Sequence, residues 1–120
     1  MLDHIGIHTN QFDRLTHFYE SVLAPLGYSK LASYEDAAGF GSDKPELWIG
    51  TAQAKPTPIH IALAAPGSAA VDAFYAAALA GGGKDNGPPG LRPDYSPGYY
   101  AAFVLDPDGN NIEAVYHQPA

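Results

Sequence analysis

Two histidines and one glutamate are candidate metal ligands, because of their residue types and their positions in the sequence. His4 opens the apolar stretch HIGIHT, His60 opens HIALAA 56 residues later, and Glu113 lies in NNIEAVYH. An imidazole in a buried strand needs a hydrogen-bond partner or a metal. Two imidazoles and a carboxylate are a common ligand set for divalent ions. The pattern therefore predicts one ion (Zn, Ni, Mn or Fe) on His4, His60 and Glu113, with a hydrogen-bonded polar cluster as the alternative.

The two histidines begin two copies of one sequence pattern. Residues 4–27 align without gaps over residues 60–83, with His4 over His60 and the FY pair of 18–19 over that of 74–75. Each copy reads as a strand, a helix and three more strands. We therefore predict an α+β fold in one domain, 1–120. Two βαβββ modules, about 1–55 and 56–120, are expected in a pseudo-twofold arrangement that forms a cupped, partly open mixed sheet with the helices outside.

The helix of the first copy has one apolar stripe, formed by Leu15, Phe18, Tyr19, Val22, Leu23 and Leu26. Its counterpart in the second copy is formed by Val71, Phe74, Tyr75, Ala78 and Leu79. The strands are predicted at about 2–8, 28–34, 37–41 and 46–51, and then at 58–64, 84–86, 98–105 and 111–117. The Pro- and Gly-rich stretch 85–98 is predicted to be a long loop.

Strand alternation places the candidate ligands away from the helix side of the sheet. His4, Gly6 and His8 share one face of the first strand, and His60 shares a face with small alanines at 62 and 64. Glu113 shares a face with its neighbours two positions away. Small residues around the imidazoles leave room for a ligand, so this face is the predicted cavity.

Composition excludes several functional classes. The chain has 120 residues, 46% of them hydrophobic, and a formal net charge of −7, so it lacks the basic stripe of a nucleic-acid or membrane-surface protein. It has no cysteine, which excludes thiolate ligands and a Cys nucleophile. No signal peptide or membrane-spanning run is visible. A cytoplasmic protein is therefore expected, without nucleic-acid or membrane partners.

The whole pattern resembles the vicinal oxygen chelate superfamily, which includes glyoxalases, bleomycin resistance proteins and extradiol dioxygenases. The resemblance is carried by HIGI at 4–7, FYESVLAPLGY at 18–28, HIAL at 60–63 and AFVLDPDGNNIEAV at 102–115. It implies the paired βαβββ modules and the cupped cavity. It also matches His4, His60 and Glu113 to the metal ligands of the family, with Glu113 as the catalytic carboxylate.

A fourth ligand position would lie on the strand PELWIG, where Glu46 and Trp48 share a face. Glu46 there would resemble a glyoxalase, whereas Trp48 there would form a cavity wall. Both remain open, and Trp48 is favoured because LWIG matches the register of NIEAV. Tyr100 and Arg92 are the other expected substrate contacts, Arg92 as a clamp for an anion. His8 is assigned either to the cavity mouth or to the surface.

The resemblance implies a metal-dependent lyase or isomerase of the glyoxalase type, acting on a small oxygen-rich substrate that binds the ion through two oxygens. The alternative is a non-enzymatic ligand- or antibiotic-binding protein of the bleomycin-resistance kind. A thiol transferase or a ring-cleaving dioxygenase fits less well, because cations near the site are few and the chain has only two modules. A homodimer is expected. The sequence leaves open whether the cavity forms within one chain or between two.

Overall fold

The computed structural model describes residues 2–119 and folds as two modules of the same order. The first module consists of β1 (Ile5–Thr9), α1 (Phe12–Leu23), a 3₁₀ helix (Ala24–Leu26), β2 (Ser29–Ser33), β3 (Ala37–Gly41) and β4 (Pro45–Thr51). The second consists of β5 (His60–Ala64), α2 (Ser68–Ala80), β6 (Lys84–Leu91), β7 (Tyr99–Leu105) and β8 (Asn111–His117). Within residues 2–119, neither helix is long and apolar enough to cross a membrane.

Each module has one four-stranded mixed sheet with the same topology. The strand orders are β1-β4-β3-β2 and β5-β8-β7-β6, so the first strand of each module lies at a sheet edge. The β1–β4 and β5–β8 pairs are parallel, and the other pairs are antiparallel. The predicted α+β fold of two βαβββ modules is confirmed.

The apolar stripes of the two helices pack into one hydrophobic core that both modules share. The six predicted residues of the first stripe are all buried, as are Val71, Phe74 and Ala78 of the second. Helix α2 packs against α1 and against the 3₁₀ helix, so the two modules meet through their helices. Leu79 departs from the prediction, because 42% of it stays exposed at the end of α2.

The prediction of a loop at 85–98 is wrong for residues 85–91. Strand β6 extends to Leu91 and pairs with β7, although Gly and Pro dominate its sequence. The pairing survives because the register shifts twice, between Asp85 and Gly87 and between Gly87 and Gly90. Such bulges accommodate residues that a regular ladder would reject. Only residues 92–98 connect β6 to β7.

The turn before β8 is held from inside the protein. Asp106 accepts hydrogen bonds from the backbone N–H groups of Asp108 and Asn110, and from the Tyr19 hydroxyl at 2.6 Å. Burial, followed by the charge of Asp106, raises the pKa of Tyr19 well above its usual value. The hydroxyl therefore remains a donor, and α1 of the first module is tied to the β7–β8 hairpin of the second.

Candidate functional site

A buried carboxylate on β8 is the centre of the candidate site. Glu113 is only 2% exposed, and its Oε1 lies 3.0 Å from Nε2 of His60. Strand β5 runs parallel to β8 with Ala62 opposite Glu113, which brings the imidazole of His60 beside the carboxylate. The side chain of His60 is half exposed. The pair thus joins a buried acid to a ring that solvent can reach.

Tyr99 completes this cluster. Its hydroxyl donates a hydrogen bond to Oε2 of Glu113, and its ring stands edge-on against Tyr95 and His117, with centroids 5.2 Å apart in both pairs. Burial, followed by the bond to Glu113, raises the pKa of Tyr99 to about 12. Tyr99 therefore stays protonated at neutral pH and holds Glu113 in place as a donor.

The prediction of Tyr100 as a cavity residue is wrong. Its hydroxyl donates to Asp72 of α2 at 2.6 Å, and its ring packs on the helix side of the sheet. Tyr99 instead pairs with His117 and shares the face of Glu113. The alternation from Phe103, which lies opposite Glu113 in the hairpin, gives the same parity to Tyr99 and is the signal that would have identified it.

Phe103 forms the floor between His60 and Arg92. The centroids of Phe103 and His60 are 6.3 Å apart, and the guanidinium carbon of Arg92 lies 5.4 Å from the centre of the Phe103 ring. His60 and Arg92 thus lie at the edges of one aromatic surface. The structure places Arg92 on the face that carries Glu113.

His4, the third predicted metal ligand, contacts Asp3 rather than His60 or Glu113. It is exposed just before β1, and its Nδ1 lies 2.7 Å from Oδ1 of Asp3. Hydrogen bonds from Lys44 and then from His4 lower the pKa of Asp3 to about 2. Across residues 2–119, no three His, Cys, Asp or Glu side chains form a group that could hold a metal ion. The predicted triad of His4, His60 and Glu113 is therefore not assembled within one chain.

The strand registers identify the counterpart of Glu113 in the first module. Gly6 of β1 pairs with Trp48 of β4, as Ala62 of β5 pairs with Glu113 of β8. Trp48 thus takes the position equivalent to Glu113, and its ring lies over Gly39, where a Cβ atom would come within 2.9 Å of it. Glu46 lies two residues earlier on the same strand.

His8 lies against the sheet of the first module. A Cβ atom on Gly50 would be 3.2 Å from the His8 ring, so the imidazole covers this glycine. Gly50 pairs with His8 across β1 and β4. The ring therefore shares its side of the sheet with Trp48, two residues before Gly50, and remains exposed.

A cleft of about 240 Å³ opens where the two modules meet. Its walls are mainly apolar, with Tyr28 and Phe40 from the first module and Ile61 from the second. Asp3, His4 and Glu46 also line it. The cleft thus combines an apolar wall with two carboxylates and one imidazole.

The donor set of His60 and Glu113 suits a small divalent ion. Nε2 of His60 and Oε1 of Glu113 lie 3.0 Å apart, which is an ordinary hydrogen-bond distance and is also short enough for both atoms to bind one ion. Tyr99 supports the carboxylate from behind, as outer partners of metal ligands usually do. His4 has the same kind of support, because Asp3 holds Nδ1 and leaves Nε2 for a metal. The residues fit such an ion, although one chain brings only two of them together.

A family model describes residues 1–114 of this chain: Glyoxalase/Bleomycin resistance protein/Dioxygenase superfamily. The chain belongs to this superfamily. A solved glyoxalase/bleomycin resistance protein from Albidiferax ferrireducens is 29% identical, with a TM-score of 0.86 over 97% of this chain and 98% of that one. No curated protein matches.

Two solved structures of lower identity show the same fold. A glyoxalase/bleomycin resistance protein/dioxygenase family enzyme from Burkholderia phytofirmans is 16% identical, with a TM-score of 0.75 over 97% of this chain and 98% of that one. Lactoylglutathione lyase from Agrobacterium tumefaciens is 19% identical, with a TM-score of 0.68 over 97% and 92%. Superfamily membership therefore accounts for the two modules of this chain.

Proposed function

We propose that this superfamily member is a metal-dependent lyase or isomerase acting on a small substrate with two neighbouring oxygens. The observation that carries the proposal is the buried Glu113 carboxylate, bonded by His60 on one oxygen and by Tyr99 on the other. Burying a carboxylate is costly unless its oxygens are paired. The arrangement places a carboxylate that can accept a proton next to an imidazole that solvent can reach.

His60 and Glu113 of one chain, with His4 of a second copy, are the residues that would hold the ion. When bound, a divalent ion would supply Lewis-acid polarisation of the substrate oxygens. The residues of the chain carry the other functions. Tyr99 fixes the carboxylate, Phe103 covers one side of the substrate, and Glu113 takes a proton from the substrate carbon and returns it to the neighbouring one.

Metal content tests this proposal. We expect about one divalent ion per chain in protein purified without a His tag, and its loss in His60→Ala. His17→Ala is the matched control, because His17 lies on α1 outside the site and its loss should leave the metal content unchanged. Protein that takes up no ion after addition of Zn, Mn, Ni and Fe(II) would contradict the metal-dependent function.

The cleft between the modules supports a second candidate, a non-enzymatic binding protein. Its apolar walls with Asp3 and Glu46 suit an apolar ligand that carries a positive charge, and the net charge of −7 favours such a ligand. This candidate requires no metal. A metal-free wild-type chain that binds cationic amphiphiles, with affinity reduced in Glu46→Gln, would favour it over the enzyme.

A further inference from the structure

The guanidinium of Arg92 is held by Gly87, Pro88 and Gly90 of β6, a set of residues that we call the cradle. Its two terminal nitrogens donate to the carbonyl oxygens of Gly90 at 3.0 Å and Pro88 at 2.7 Å. A Cβ atom on Gly87 or Gly90 would lie 3.2 Å from these nitrogens, so both glycines make space for the guanidinium. The Gly- and Pro-rich sequence of β6 therefore fixes the position of one cation.

The cradle leaves Arg92 able to bind an anion. A guanidinium has five N–H donors, and the two carbonyl bonds leave three of them available. Among residues 2–119, no carboxylate forms a salt bridge with Arg92. In the same described range, only Lys30 and Lys44 of the six Lys and Arg residues form salt bridges with carboxylates, so Arg92 is distinguished by its fixed position rather than by the lack of an acidic partner. Backbone carbonyls and an aromatic ring orient the group without neutralising its charge.

The cradle also lies next to the candidate reactive residues. Phe103 pairs with Gly87 on one side and with Glu113 on the other, so one row crosses β6, β7 and β8. Adjacent strands are about 4.8 Å apart. Gly87 lies two strand spacings from Glu113 and Phe103 lies one, so a group bound at Arg92 would be roughly 5–10 Å from Glu113.

We propose that Arg92 is an oxyanion subsite and that the substrate carries a carboxylate or phosphate beside its two neighbouring oxygens. The proposal rests on the proposed function for the placement of the reacting oxygens, whereas the anion subsite itself rests only on the surroundings of Arg92. A short acid with oxygens on two neighbouring carbons beyond its carboxylate, such as a 2-hydroxy-3-oxo acid, has this arrangement. The guanidinium fork matches both carboxylate and phosphate oxygens.

Matched probes test the subsite in metal-free, chelator-treated full chain. We expect pyruvate to bind more tightly than pyruvamide, which has nearly the same shape without the charge. Arg92→Gln should weaken pyruvate binding by about tenfold or more, and Gly90→Ala should weaken it less, because the added methyl shifts the guanidinium. NMR titration measures each affinity. Inorganic phosphate binding more tightly than pyruvate, with the same dependence on Arg92, would assign the subsite to phosphate.

Lys84→Gln is the charge-matched control, since it removes a positive charge from the start of β6, outside the cradle. It should leave pyruvate binding within about twofold of wild type. Equal binding of pyruvate and pyruvamide, no binding of any probe, or an unchanged affinity in folded Arg92→Gln would each overturn the subsite. Metal content separates the two proposals, because Arg92→Gln should retain the wild-type content, and a metal-free chain could still prefer pyruvate.

Discussion

At the residue scale, the Tyr99 hydroxyl determines how Glu113 is held. The hydroxyl is the hydrogen-bond partner of Oε2, while His60 takes the other carboxylate oxygen. A buried acceptor that loses its donor costs more than the net value of the bond, because its desolvation is no longer offset. Tyr99 is therefore a positioning residue for Glu113, and its removal should be measurable in the stability of the fold.

We expect Tyr99→Phe to lower the free energy of unfolding by about 1–3 kcal/mol. Tyr100→Phe is the matched control, since it removes the same atom from the next residue, whose partner Asp72 is exposed and can bond water instead. Urea denaturation followed by the fluorescence of Trp48, the one tryptophan in the chain, measures both. Equal losses in the two variants would contradict the role of Tyr99.

The sequence predicts the residues of the site better than their contacts. The repeat predicts the strands that carry His60 and Glu113, whereas the parallel β5–β8 pairing that brings the two side chains together is seen only in the structure. The face of Tyr99 depends on the register of the β7–β8 hairpin, and neighbouring tyrosines look alike in composition. The place of His4 depends on how the two modules dock, and equivalence under a repeat does not specify docking.

At the scale of elements, Gly6 and Gly39 lie on the two strands that flank Trp48 in the first sheet. A Cβ atom on Gly39 would lie 2.9 Å from both the Trp48 ring and Pro45, whereas one on Gly6 would meet nothing within 4 Å. Both glycines pair with Trp48, from opposite sides of β4. The two positions therefore differ in packing rather than in their distance from Trp48 along the sheet.

Gly39→Ala should destabilise the protein by about 1–3 kcal/mol, because the methyl overlaps the ring. Gly6→Ala should be neutral or stabilise by about 0.4–1 kcal/mol, since it restricts the unfolded chain at no packing cost. Thermal unfolding gives both values, and the emission of Trp48 should shift only in Gly39→Ala. A similar loss in both variants would indicate that backbone freedom, not ring packing, selects glycine at position 39.

Helices and strands are predicted correctly where the burial of one face gives the sequence a regular hydrophobic period. The first helix stripe is predicted in full because its residues must face one core. Strand β6 is missed because Gly87 and Gly90 serve the register shifts and the Arg92 cradle, and these residues are also typical of loops. The signal that identifies a strand is therefore weakest where its glycines make space for a neighbouring side chain.

At the scale of the whole molecule, the candidate ligands are divided between two regions of the chain. His60 and Glu113 lie on the second sheet, and His4 lies beside Asp3 and the cleft. Strands β1 and β5 lie at the edges of their sheets. A twofold dimer that brings His4 of each copy to the His60–Glu113 pair of the other would complete two equivalent sites.

Mixing two inactive variants tests this arrangement. His4→Ala and His60→Ala, unfolded together and refolded, should regain about a quarter of the wild-type metal content, because half of the random dimers are mixed and each mixed dimer has one intact site. Each variant refolded alone is the control and should bind almost none. Metal binding that is not restored in proven mixed dimers would contradict a site shared between two chains.

The shared core has a consequence for the order in which the protein is made. Helix α1 buries its stripe partly against α2, which begins at Ser68, so the first module has no complete partner surface until the second half has been synthesised. On the ribosome, an emerging chain that ends near Thr51 exposes the part of the α1 stripe that later packs against α2. The time needed to translate from Thr51 to the end of α2 at Ala80 therefore sets how long the stripe of α1 stays without its partner.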